Sequence, residues 1–342
     1  MIETFDRLHG LPAGFFDITT ANIRSLFPNP TLVQLDGADS NPLFISILLH
    51  GNEFSSLAVM QRVLAKYADG LPRSILMFVG NVRAAEANLR HLPDQVDYNR
   101  CWPGTQMEAN PTTQMARRVI EIAQGQPLFA ALDIHNNTGR NPHYACITDA
   151  NARNQNLAAM FNRIAMVYHY KGVCTMAFDG FCPAATLECG IPGDPTGIDH
   201  ACALVEDLLT LEALPEEEPS RAQLHLVESH LHVHIPDHVS YEFDVDADAD
   251  LNFAADIEAR NFTLMDPRQV FAHTRVARPI TVLDTNQHDV TDEVLRVEGG
   301  NIYFNQTLMP AMITRDKLVI QQDCLCHLLQ DYLPHHEMEE AG

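Results

Sequence analysis

Residues 43–53 read LFISILLHGNE, and this stretch decides how the rest of the chain is read. Seven residues dominated by Ile, Leu and Phe have the composition of a buried strand, and they run straight into His50, Gly51, Asn52 and Glu53. His-x-x-Glu offers one imidazole nitrogen and one carboxylate oxygen, two donor types that Zn²⁺ accepts. A catalytic zinc takes three protein ligands and a water, so a third ligand must come from elsewhere. Gly51 is expected to let the backbone turn tightly between the two donors. Leu57, Met60, Val63, Leu64 and Tyr67 follow at helical spacing, which puts Glu53 in or just before a helix's first turn. Taken alone, the motif is weak and is more often a polar corner between strand and helix than a metal site.

Working outward, Ser74–Gly80 (SILMFVG) is a second buried strand. It delivers a polar loop carrying Asn81, Arg83, Asn88, Arg90, Asp97, Asn99 and Arg100, placed where open α/β sheets put their ligand contacts. A helix over Thr112–Gln124 leads to a third apolar strand, Leu128–Ile134, which ends in Asp133, Ile134, His135 and Asn136. His135 is the natural third ligand, and Asp133 is placed to orient a ligand imidazole from behind. His143–Thr148 reads as a further strand and Ala152–Tyr168 as one helix. Ala184–Leu187 is a short strand ending at Glu188, Cys189 and Gly190. Four apolar strands thus terminate in residues capable of chemistry, and that coherence says more than any one motif.

The whole chain has 342 residues, enough for two domains. A helix over Gly197–Leu214 closes an expected catalytic domain, 1–214, and the acidic linker Pro215–Ser220 leads to a smaller, mainly β domain, 221–342. Strands are expected there at Gln223–Ile235, Val239–Phe243, Asp292–Glu298, Ile302–Asn305 and Leu318–Gln321. A net charge of −23 argues against nucleic acid and against anionic membrane as partners. With no leader pattern and no membrane-length apolar run, a cytoplasmic protein is expected. Eight cysteines without a CxxC pair read as reduced, mostly buried thiols. Cys324, Cys326 and His327 read as a helix or strand end. His230, His232 and His234 read as a solvated strand face. Asp244 to Asp250 read as a solvated acidic loop, because Ala249 and Ala255 stand where a calcium loop needs Gly and Glu.

HGNE at 50–53, N-x-x-A at 81–84, Arg90, D-x-N-R at 97–100 with Pro-Gly at 103–104, DIHNN at 133–137 and LECG at 187–190 together resemble the succinylglutamate desuccinylase/aspartoacylase family of the zinc carboxypeptidase superfamily. The resemblance covers about residues 40 to 210. It implies an α/β fold, a zinc-carboxypeptidase-like mixed sheet flanked by helices, with a smaller mainly β C-terminal domain. It also implies one Zn²⁺ per chain on His50, Glu53 and His135, with Glu188 as general base and acid. Arg90 would polarise the scissile carbonyl, and Asn99 with Arg100 would hold a substrate carboxylate. The loop between Arg90 and Asn99 is longer than the family's, so Arg83 or Arg140 could take Arg90's place. Tyr98 stands where the family has leucine, and the stretch after His135 differs too, which points to a distinct acyl pocket. The expected activity is a zinc-dependent amidohydrolase cleaving the amide bond of an N-acyl amino acid, a small-molecule substrate with a carboxylate. The alternatives are a metallocarboxypeptidase acting on short peptides and a non-catalytic zinc-binding protein. A homo-oligomer is also compatible with these features.

Overall fold

The four apolar segments read as strands do lie together in one sheet. The computed structural model describes residues 5–332, which divide into two compact units. Residues 5–136 and 143–225 form the first, and residues 137–142 and 226–332 the second. The first unit holds β1 (Asp6–His9), β2 (Thr31–Leu35), β3 (Gly37–Ile47), β4 (Leu71–Val79), β5 (Ala130–His135), β6 (Tyr144–Ile147), β7 (Ile164–Val167) and β8 (Ala184–Glu188). Its helices are α1 (Ser55–Lys66), α2 (Val82–Ala87), α3 (Pro111–Gln124), α4 (Ala152–Phe161) and α5 (Pro195–Thr210).

These strands run in the order β1-β2-β4-β3-β5-β8-β6-β7. The central four, β4, β3, β5 and β8, are mutually parallel, while β2 and β6 pair antiparallel to β4 and β8. Parallel strands buried on both faces need continuous apolar runs, and Leu43 to Ile47 are all buried. Parallel pairing has a consequence for chemistry. It brings the C-terminal ends of β3, β5 and β8 to one edge, with Ile47 beside Ile134 and His135 beside Glu188. Each of Ile45 and Ile47, fully buried, contributes roughly 2 kcal/mol relative to exposure.

α1 buries Leu57, Val59, Met60, Val63 and Leu64, the face foreseen from its period, and Glu53 lies just before it. α3 starts on a capping box in which Asn110 and Thr113 satisfy each other's backbone N–H groups. Arg73, 3% exposed, joins β4 to the end of α5. Its guanidinium donates to the carbonyls of Asn41, Leu208 and Leu211, pairs with Asp39 at 2.7 Å and lies over the Phe129 ring. Cations near a helix C-terminus relieve its unpaired carbonyls and complement its dipole.

The second unit contains β9 (His225–His234), β10 (Tyr241–Glu242), β11 (Leu251–Asn252), β12 (Ala272–Thr274), β13 (Thr281–Asp284), β14 (Leu295–Glu298), β15 (Asn301–Phe304), β16 (Met309–Ala311) and β17 (Cys326–Asp331), with short helices α6 (Thr291–Val294) and α7 (Lys317–Gln322). β10, β11, β12, β15 and β14 form a five-stranded sheet, and β9 pairs antiparallel with β13 and β17. Phe253, Phe271 and Phe304 lie at the centre of its core. Residues 333–342 of the expected C-terminal domain lie outside the described residues.

Several sequence expectations are corrected. The helix expected to run to Tyr168 stops at Phe161, because Asn162 is extended (φ −157°, ψ 166°) and Ile164–Val167 joins β6 as a parallel strand. Leu318–Gln321 is helical, since Asp316 caps it by accepting from the N–H groups of Leu318 and Val319. The strand expected from Asp292 begins only at Leu295, after α6. His232 is buried beside His327, so the histidine-bearing face of β9 is not a solvated one. All eight cysteines are free, and seven are buried. Among the described residues no helix is long and apolar enough to cross a membrane.

Arg73→Ala should lower stability by about 3 kcal/mol, because it strips charged donors from three carbonyls. Urea unfolding would check this: the midpoint should fall with the slope m unchanged.

Candidate active site

β3 ends at Ile47, two residues earlier than the apolar run suggested, because Leu48 takes a positive φ of 56° and turns the chain out of the sheet. His50 therefore sits on a short turn rather than at the strand's last residue. Gly51 is needed for space and not for a special dihedral. A Cβ there would lie 2.1 Å from the carbonyl carbon of Ala84, so only glycine lets this turn rest on α2. Its N–H donates to the carbonyl of Arg90 at 3.1 Å.

Glu53 is the centre of the cluster. Oε1 lies 2.7 Å from His50 Nδ1 and Oε2 lies 2.7 Å from His135 Nδ1. Oε2 also accepts the N–H of Asn136 at 3.0 Å. Each imidazole is backed by a second carboxylate on its other nitrogen. His50 Nε2 is 3.0 Å from Asp97 Oδ1, and His135 Nε2 is 2.7 Å from Asp133 Oδ2. Asp97 is fixed in turn by Arg90, whose Nε and Nη2 both donate to Oδ2 at 3.1 and 2.9 Å. Asp133 is fixed by the Ser46 hydroxyl at 2.7 Å. All of this is dry: His50 and Glu53 are 4% exposed, His135 3% and Asp133 1%.

The protonation of the rings follows from their partners. Carboxylates at both Nε2 atoms require Nε2–H donors, which leaves the two Nδ1 atoms converging on Glu53. Burial depresses the His135 pKa, but Asp133 and Glu53 outweigh it and hold the ring well above its ordinary value. Burial and Arg90 depress His50 while Glu53 and Asp97 raise it, with a net rise. Burial alone would raise Glu53, yet the two imidazoles bring it down. Burial likewise works against the Asp97 carboxylate, and Arg90 and His50 hold it well below the usual range.

His50, Glu53 and His135 could hold a metal ion, since their donor atoms all lie within 4.8 Å of one another. The donor set fits a divalent cation. Two Nδ1 lone pairs and one carboxylate converge, and the carboxylates behind the rings are the usual orienting groups.

Glu188 ends β8 with His135 as its register partner on one side and Tyr144 on the other. Paired positions share a sheet face, so Glu188 stands on the same face as the ligand imidazole. Burial pushes its carboxyl up to about 7, with His135 opposing and Glu53 adding to the rise. Asn99 is buried, with Nδ2 3.4 Å from His135 Nε2 and Oδ1 accepting the N–H of Cys174. Arg100 donates to the Asn99 carbonyl, reaches the Tyr168 hydroxyl and lies 4.5 Å over the Tyr170 ring.

The other arginines are placed differently. Arg83 is exposed on α2 opposite Asp94. Arg140 is exposed on the 137–142 segment of the second unit, where its carbonyl accepts from Asn261. Asp97, part of the polar loop and of the D-x-N-R motif, carries no role in the sequence reading, although it links Arg90 to His50. The signal was present in Asp97-Tyr98-Asn99-Arg100, an acid two residues before an expected site residue.

Residues 40–178 match the family model described as the succinylglutamate desuccinylase/aspartoacylase catalytic domain. Over that stretch the chain is similar to that family. No curated relative matches the chain at the level of sequence. Solved structures share the desuccinylase/aspartoacylase fold at low identity. Succinylglutamate desuccinylase from Chromobacterium violaceum is 16% identical with a TM-score of 0.56, over 88% of this chain and 86% of that one. A succinylglutamate desuccinylase/aspartoacylase from Rhodobacter sphaeroides is 12% identical with a TM-score of 0.54, over 87% and 88%. Murine aminoacylase 3 is 15% identical with a TM-score of 0.52, over 86% and 96%. The mixed sheet flanked by helices and the second, smaller sheet match that fold.

Two outcomes test this geometry. His135→Ala should lose most bound metal by elemental analysis, whereas a full retained equivalent would remove His135 from the ligand set. The second concerns pH in metal-free protein. A carboxyl raised from its ordinary value of 4.5 to about 7 stabilises the fold fully below 4.5 and loses that contribution as pH rises through about 7. His50 and His135, also raised, lose theirs on the same side, whereas Glu53 and Asp97 act at acid pH. The thermal midpoint of chelator-treated protein should therefore fall as pH rises from about 5 to about 7, and Glu188→Gln should flatten that decline.

Proposed function

We propose that the chain is a zinc-dependent amidohydrolase that cleaves the amide bond of an N-acyl amino acid to a carboxylate and an amine. The observation that carries this reading is the Glu53 carboxylate set between two imidazoles, each backed by its own aspartate, with Glu188 on the same sheet face. The match of residues 40–178 to the family's catalytic-domain model supports it, as does the occurrence of desuccinylases and an aminoacylase among the structures that share the fold.

His50, Glu53 and His135 would hold the ion, which when bound lowers the pKa of a coordinated water and polarises a carbonyl. Glu188 accepts a proton from the attacking water and returns it to the departing nitrogen, so the amide C–N bond breaks as the new C–O bond completes. A carboxyl poised near neutrality suits both halves of that exchange. Arg90 holds Asp97, hence His50, and adds positive field where oxyanion charge develops. Arg100, with Asn99 beside it, is the proposed clamp for a substrate carboxylate, a task that suits a planar guanidinium. A cytoplasmic enzyme acting on small carboxylate-bearing metabolites fits the acidic composition.

Hydrolysis of a panel of N-acyl amino acids and short peptides, with and without chelator, tests the proposal. Glu188→Gln should lower kcat by about 10²- to 10⁴-fold while metal content stays at one equivalent. A protein that only binds would be indifferent to that change, and cleavage confined to peptides would make the chain a carboxypeptidase.

A further inference from the structure

Asn136 touches both halves of the site and belongs to neither. Its backbone N–H donates to Glu53 Oε2, while its side chain, 4% exposed, reaches in two other directions. Oδ1 accepts the N–H of Ser55, the first residue of α1 and two residues after Glu53, at 3.2 Å. Nδ2 donates at 2.9 Å to the carbonyl of Gly190, two residues after Glu188.

The turn at Gly190 has little freedom to answer any disturbance. Its φ of +71° disfavours side chains, and a Cβ would meet His143 Nε2 at 3.0 Å and Asp194 Oδ2 at 3.1 Å. Those two groups are themselves paired at 3.1 Å. Before the turn, the sheet ladder holds the chain through the Cys189 N–H to the His135 carbonyl. A second tie runs in parallel, from the Gly193 N–H to the Ser55 hydroxyl at 2.9 Å. The Asn136 carboxamide therefore sits between the start of α1 and the turn that follows Glu188, with one acceptor and one donor each spent on a backbone group.

We propose that Asn136 is a positioning residue whose carboxamide sets the spacing between the Glu53 ligand loop and Glu188. The inference rests on the proposed roles of those two residues. A displacement of about 1 Å between reacting groups can cost 10²-fold in rate, so such a brace would act on turnover more than on substrate affinity.

Two substitutions separate the two contacts. Asn136→Asp keeps an oxygen for the Ser55 N–H and sets an acceptor against the Gly190 carbonyl. Asn136→Ala removes both contacts. In zinc-loaded enzyme, Asn136→Asp should lower kcat at least ~10-fold with KM within about threefold and zinc retained against a competing chelator. Asn136→Ala should lower kcat comparably and lower the thermal midpoint further than Asn136→Asp does. A purely structural residue would instead let kcat follow stability across the pair. The second measurement needs no activity: a double-mutant cycle of Asn136→Ala with Glu188→Gln on the thermal midpoint of metal-free protein, where non-additivity of at least ~2 °C is expected. Additive shifts overturn the proposal, and so does Asn136→Asp with kcat within twofold of an active wild type. If wild type hydrolyses nothing in the panel while the cycle is non-additive, the proposed activity falls and the brace stands.

Discussion

A single buried carboxylate shared by two buried imidazoles is the constraint on which this site depends. Glu53 places one oxygen 2.7 Å from each Nδ1, and both rings are turned toward it by aspartates on their far nitrogens. Four carboxylates, Glu53, Asp97, Asp133 and Glu188, crowd this buried region, and of these Asp97 is paired with Arg90 and also feels Arg100. So much unbalanced negative charge is costly in low dielectric unless protons or a cation compensate it. The imidazoles are accordingly driven to hold protons, and burial drives Glu188 to hold one. A divalent ion held by His50, Glu53 and His135 would answer the same imbalance.

The sheet makes this arrangement possible. Parallel β3, β5 and β8 end at one edge, so the loops that follow them meet there without any strand bending toward another. Ser46 and Asp133, register partners on β3 and β5, hydrogen-bond within the sheet itself and carry its rigidity to His135. The Arg90-to-Asp97 loop does for His50 what β5 does for His135. One imidazole is braced from a strand, the other from a loop locked by a bidentate arginine.

Arg90 illustrates how geometry redistributes a role. With Nε and Nη2 on Asp97, it is committed first to the carboxylate that backs His50. Arg140, proposed from spacing alone, belongs to a six-residue segment that folds with the second unit. Linear distance from His135 could not reveal that excursion.

The sequence by itself determined the buried parallel strands, the helix after Glu53 and the identity of the strand-end residues, because apolar runs and 3.6-residue periods are local consequences of burial. It was also enough for the succinylglutamate desuccinylase/aspartoacylase resemblance, carried by HGNE, DIHNN and LECG in order. Only the tertiary structure decided that Asp97 completes His50, that Gly51 is required by Ala84 and that Asn136 reaches Gly190. It also decided that His232 is buried and that Ile164–Val167 leaves its expected helix to become a parallel partner of β6. Each of these depends on what lies opposite a residue across the sheet or the site. Pairing partners separated by tens of residues leave no periodic trace in the chain that carries them.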